Sequence, residues 1–124
     1  MMYRVKTFIK HKGETMEISG KTFLVTGGAQ GMGRCFTLEL AKLGANILFC
    51  DLNEEKIAAV EAEGKSLAGT VKGIFLNVAE SDRVVDGEIE QGIDRSTKNF
   101  ETFINKAVEL FGDVNGIINN AGII

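Results

Sequence analysis

A chain of 124 residues holds one domain with a modest core. Its 44% hydrophobic and 25% charged residues suit an ordinary soluble α/β domain, and a net charge of -3 argues against a nucleic-acid surface or a polybasic membrane contact. No apolar run approaches the ~18 residues that span a bilayer, and two cysteines are too few for a disulfide framework.

Residues 1–15 carry Arg4, Lys6, Lys10 and Lys12 but lack the apolar centre and small-residue cleavage site of a secretory signal. We read them as a flexible N-terminal extension, with a short strand over Tyr3–Ile9 as the alternative, and residues 16–124 as the folded domain. Thr22–Thr26 is a short apolar run bounded by glycine, the pattern of a strand buried on both faces. Helical spacing follows from Gly31 to Leu43, with Met32, Phe36, Leu40 and Leu43 on one face and Gly44 as the C-terminal cap. Asn46–Cys50 reads as a second buried strand that ends at Asp51. Asn53 is placed to cap a helix carrying Ile57 and Val60 and closing near Gly64. Val71–Val78 reads as a third strand.

The polar stretch Ala79–Ser96 is broken by Gly87 and Gly92 and gives no clear periodicity. Thr97–Phe111 is an amphipathic helix, with Phe100, Phe103, Ile104, Ala107, Val108 and Phe111 on one stripe. Gly112 ends it, and Val114–Asn119 is a fourth strand. Strands alternating with helices predict a parallel sheet with right-handed crossovers. The expected fold is α/β, a Rossmann-like doubly wound parallel sheet of about four strands, corresponding to the N-terminal half of such a fold. Cys35 and Cys50 both lie in apolar runs, so two buried free thiols in a reducing cytoplasm are expected.

The segment Thr26-Gly27-Gly28-Ala29-Gln30-Gly31-Met32-Gly33 joins a buried strand to a helix. Glycines there let the backbone turn tightly and approach a pyrophosphate, and the following helix turns free N–H groups and its positive dipole end toward the anion. Asp51 ends the second strand, where a carboxylate binds the ribose hydroxyls of an adenosine and repels an extra phosphate. Neither Leu52 nor Gln30 brings a compensating positive charge. The expected cofactor is therefore NAD in preference to NADP.

The Thr-Gly-x-x-x-Gly-x-Gly spacing at Thr26–Gly33, together with Asn119-Asn120-Ala121-Gly122 and the Leu76–Val78 run, resembles the classical short-chain dehydrogenase/reductase family. The resemblance runs from about Met16 to the last residue. It implies that Gly27, Gln30, Gly31, Met32 and Gly33 line the pyrophosphate and adjoining ribose, and that Asp51 and Leu52 hold the adenosine ribose. It further implies that Asn77 and Val78 border the adenine and that Asn120, Ala121 and Gly122 pass beside the nicotinamide-side ribose, while Asn119 braces the sheet. Two departures stand out. Asn115 replaces an often acidic residue before the fourth strand, and the stretch between Asn77 and Asn119 is longer than usual. The extra length falls within Asp82–Ser96, as a surface excursion or a lengthened third helix.

The family's catalytic Asn, Ser, Tyr and Lys all follow the Asn-Asn-Ala-Gly segment, and its tyrosine acts as general acid/base beside the lysine. In this chain the single tyrosine is Tyr3, followed at the fourth position by Thr7, so no catalytic residue is assigned. His11 is a lone histidine, and no metal-ligand cluster is expected. The resemblance thus implies the cofactor-binding portion of an oxidoreductase that moves hydride between nicotinamide and an alcohol or carbonyl, inactive by itself. A non-catalytic NAD-binding module is the alternative, and Asn119–Gly122 argues against a third, a methyltransferase-like domain. Full-length relatives are implied to be homo-oligomers through later helices. Without those helices, and with the fourth strand as an apolar edge, the isolated chain is expected to be marginal or aggregation-prone.

Overall fold

The computed structural model describes residues 9–11, 14–15, 17–78, 83–85, 88–90 and 93–120, with side-chain environments for 17–78 and 98–120. Two short strands, β1 (Ile9–His11) and β2 (Glu14–Thr15), pair as an antiparallel ribbon. Tyr3–Phe8 lie outside the described residues.

The domain is built on β3 (Thr22–Thr26), β4 (Asn46–Asp51), β5 (Thr70–Phe75) and β8 (Gly116–Asn119), hydrogen-bonded in the order β5-β4-β3-β8. All three pairings are parallel. Helices α1 (Gly31–Lys42) and α2 (Glu54–Gly64) cover one face, and α3 (Ile93–Phe111) the other. The expected Rossmann-like doubly wound sheet is the observed one.

Strand alternation explains why β3 and β4 read as continuous apolar runs. Phe23, Val25, Ile47 and Phe49 enter the core under α1 and α2. Leu24, Leu48 and Cys50 enter the second core with Phe103 and Ala107 of α3. With a layer on each face, no position in the middle of these strands is left for a polar residue.

Local chemistry sets the helix ends. Asn53 Oδ1 accepts from Lys56 N at 3.0 Å and caps α2. Gly44 and Gly112 adopt the left-handed conformation at the ends of α1 and α3, at φ 94° and 85°. Asn115 matters more than its sequence position suggested: its Oδ1 accepts from Thr22 N at 2.8 Å, and its own N–H donates to Thr22 O at 2.7 Å. The carboxamide thus starts the β3–β8 pairing.

Several expectations need correction. The buried face of α1 is Gly33, Thr37, Leu40 and Ala41, whereas Met32 and Leu43 are 58% and 57% exposed. Small residues bring the helix close to the sheet, so its larger apolar side chains fall at the margin. Cys35 is exposed on the outward side of α1, and only Cys50 is buried. Val108 is exposed on α3, which turns Phe103 and Ala107 inward. The third strand ends at Phe75, one residue beyond which Leu76 N still donates to Asp51 O. Within Asp82–Ser96 the structure places an antiparallel ribbon, β6 (Arg83–Val85) with β7 (Glu88–Glu90), and begins α3 at Ile93.

Candidate functional site

The C-terminal ends of β3, β4 and β8 meet at the glycine-rich loop, the crevice where open parallel sheets take ligands. Gly27 and Gly31 have φ of 65° and 56°, values that an L side chain rarely adopts. Gly33 is needed for a different reason. A Cβ there would stand 2.0 Å from Gly27 O and 2.8 Å from Asn120 Nδ2. Gly28, which was not singled out from sequence, lies against Phe49, where an added Cβ would meet the Phe49 Cβ at 2.4 Å and its ring at 2.8 Å.

Asp51 reaches across from β4 into this loop. Its Oδ2 accepts from Ala29 N at 3.0 Å, and its Oδ1 accepts from Leu52 N at 2.7 Å and Asn53 N at 3.3 Å. Gly28 N donates to Cys50 O at 3.1 Å, so backbone and side chain of β4 both hold the turn. On the other side Thr26 Oγ1 donates to Asn119 Oδ1 at 2.9 Å and accepts from Asn120 N at 2.8 Å. Asn120 Nδ2 donates to Gly27 O at 3.4 Å. Asn119 therefore braces β3 against β8, as expected, and Asn120 closes over the loop.

The two helix N-termini differ in a way that bears on ligand chemistry. α2 is capped by Asn53 and carries Glu54 and Glu55 in its first turn, so its positive end is internally satisfied. α1 has Gln30 in extended conformation as N-cap, with no side-chain cap hydrogen bond and no acidic residue in its first turn. An anion fits the second and would be repelled by the first. The donors of Gly31, Met32 and Gly33 sit at that open end.

Around the mouth, Met32 and Leu52 are largely exposed, an apolar rim of the kind on which a base or ribose lies. Lys56, missed from sequence, donates from Nζ to Gln30 Oε1. A positive charge thus stands beside Gln30 after all, supplied from α2, which local spacing around the loop could not reveal. Asn77 offers its carbonyl to Asn99 Nδ2 at 2.7 Å, and Val78 packs against the second core. Both lie past the end of β5, on the side of the sheet covered by α3. Ala121 and Gly122 lie outside the described residues.

Burial pushes the Cys50 thiol up to about 11, the Gly27 N–H partly offsetting this and the Asp51 charge adding to it. At neutral pH it is a protonated core group. Among the described residues no three His, Cys, Asp or Glu side chains are grouped to hold a metal ion, and no helix is long and apolar enough to cross a membrane.

The family model described as short chain dehydrogenase matches residues 21–124, the whole sheet and the loop just described. The chain belongs to that family. A short chain dehydrogenase/reductase from Macrophomina phaseolina is 37% identical over 111 residues, which cover 90% of this chain and 55% of the relative. Among solved structures, an NAD+-bound xylitol dehydrogenase superposes with TM-score 0.68 at 24% identity, covering 87% of this chain and 35% of that one. A metagenomic short-chain oxidoreductase in complex with NADP gives 0.67 at 22% identity, covering 87% of this chain and 42% of that one. The structural likenesses establish a shared fold. The chain thus spans about half, or less, of the length of these proteins.

Proposed function

We propose that this chain holds the adenosine-pyrophosphate side of a nicotinamide dinucleotide for a short-chain oxidoreductase. The whole protein then transfers hydride between the nicotinamide and an alcohol or carbonyl substrate. The observation that carries this reading is the open N-terminus of α1 facing a glycine turn tied to Asp51 on one side and to Asn120 on the other.

The cofactor, when bound, supplies the hydride chemistry. This chain's own contribution is to bind and orient. Gly27, Gln30, Gly31, Met32 and Gly33 take the pyrophosphate and adjoining ribose, chiefly through backbone N–H groups. Asp51 and Leu52 take the adenosine ribose, Asn77 and Val78 border the adenine, and Asn120, Ala121 and Gly122 lie beside the nicotinamide-side ribose. NAD is favoured over NADP because Asp51 places a carboxylate at the ribose end of β4. Residues 16–124 form the dinucleotide-binding unit, with 1–15 as its extension.

Calorimetric titration of the folded chain with NAD+, ADP-ribose and nicotinamide mononucleotide tests this division of labour. ADP-ribose is expected to retain most of the affinity of NAD+, and the mononucleotide to bind far more weakly. The reading fails if the mononucleotide binds as tightly as NAD+, or if folded protein binds none of the three.

A further inference from the structure

We infer that Lys56 sets how strictly the adenosine side of this site excludes a 2′-phosphate; the inference rests on the dinucleotide reading above. An ionised carboxylate offers about four acceptor positions. Asp51 has committed three of them to backbone N–H groups, Ala29 to Oδ2 and Leu52 and Asn53 to Oδ1. What remains facing the crevice is one acceptor position of a carboxylate held in place by the loop and by the start of α2.

Lys56 stands on the first turn of α2, three residues beyond the Asn53 cap, and its ammonium reaches back to Gln30 Oε1 at the N-cap of α1. Ala29, the residue bonded to Asp51, immediately precedes Gln30. Anion and cation therefore attach to adjacent residues of one loop. The other charged groups on these first turns do not supply a competing cation: Glu54 and Glu55 are acidic, and Arg34 is engaged by Glu63.

A ribose diol needs acceptors and is served by Asp51. A 2′-phosphate is repelled by Asp51 but attracted by Lys56, whose bond to a neutral amide on an exposed stem is readily exchanged for a charged one. The two effects oppose at short range. NADP+ is thus bound only modestly less tightly than NAD+, and the residue responsible lies on α2.

The test is calorimetry of NAD+ and NADP+ on the 124-residue chain and on Lys56→Ala and Lys56→Arg. For the unaltered chain the two affinities fall within about tenfold of each other. Lys56→Ala weakens NADP+ by about tenfold or more and leaves NAD+ within about twofold, while Lys56→Arg keeps both. Equal losses for both nucleotides in Lys56→Ala would mean that Lys56 only props Gln30, and would overturn the inference. So would an unaltered chain that binds NAD+ but not NADP+, or NADP+ binding indifferent to Lys56. Failure of the unaltered chain to bind either nucleotide removes the dinucleotide reading itself, a result distinct from the other three.

Discussion

Thr26 and Asn119, 93 residues apart in sequence, are joined by a 2.9 Å hydrogen bond from the threonine hydroxyl to the amide oxygen. The same hydroxyl accepts from Asn120 N at 2.8 Å, so one buried oxygen ties the start of the glycine turn to the end of β8. The two segments that border the candidate site are thereby fixed to each other before any ligand arrives. Thr26→Val keeps the shape but strands Asn119 Oδ1 and Asn120 N. The expected loss is about 2 kcal/mol in urea unfolding, largely restored by Thr26→Ser.

Gly33→Ala places a methyl against the Gly27 carbonyl, a backbone atom that cannot rotate away. Destabilisation of about 3 kcal/mol is expected from such overpacking. Nucleotide binding should fall further than stability explains, because the loop itself must shift. Titration well below the melting temperature separates the two effects.

Thr37 Oγ1 is buried on α1 without a hydrogen-bond partner among the described residues. Thr37→Val replaces an unpaired hydroxyl by a methyl of similar volume. The melting temperature should rise, with a gain of about 1 kcal/mol, and nucleotide affinity should not change. A loss of stability would show that the hydroxyl is in fact bonded.

The two thiols should separate cleanly. Exposed Cys35 reacts with a thiol reagent in the native state, while buried Cys50 reacts only on unfolding. Burial raises the Cys50 pKa from 9.0 to about 11, so the folded state retains the proton more tightly than the unfolded one. The associated stability is complete below pH 9 and is lost as pH rises to about 11. Over that window it amounts to about 3 kcal/mol. Urea midpoints across that range should fall more steeply for the unaltered chain than for Cys50→Ala.

Much of the fold was legible because β3 and β4 are apolar on both faces and glycines punctuate the helices. The loop was legible for the same reason: Gly27, Gly31 and Gly33 meet steric demands that spacing alone exposes. What escaped depends on contacts between distant segments. The buried face of α1 was misread in part: Leu40 is buried and Phe36 packs on the core as expected, but Met32 and Leu43 are exposed. Gly33, Thr37 and Ala41 make close approach possible without contributing large hydrophobic signals. Lys56 carries no local signal that points to the loop, and only the packing of α2 beside it brings the ammonium to Gln30. Asn115 drew attention for lacking a charge, whereas its role comes from two hydrogen bonds to the Thr22 backbone, one through its carboxamide oxygen and one through its own N–H, between residues 93 apart in sequence.

The central claim is that the turn between β3 and α1 receives a dinucleotide. Its most direct measurement is the backbone amide spectrum of the isotopically labelled chain during titration with NAD+. Saturable shifts are predicted at Gln30, Gly31, Met32 and Gly33, with smaller ones at Asn53 and Asn120. A folded, well-dispersed spectrum in which these amides do not move, or in which shifts cluster instead at Cys35, Leu38 and Leu67 between the outer sides of α1 and α2, would contradict it.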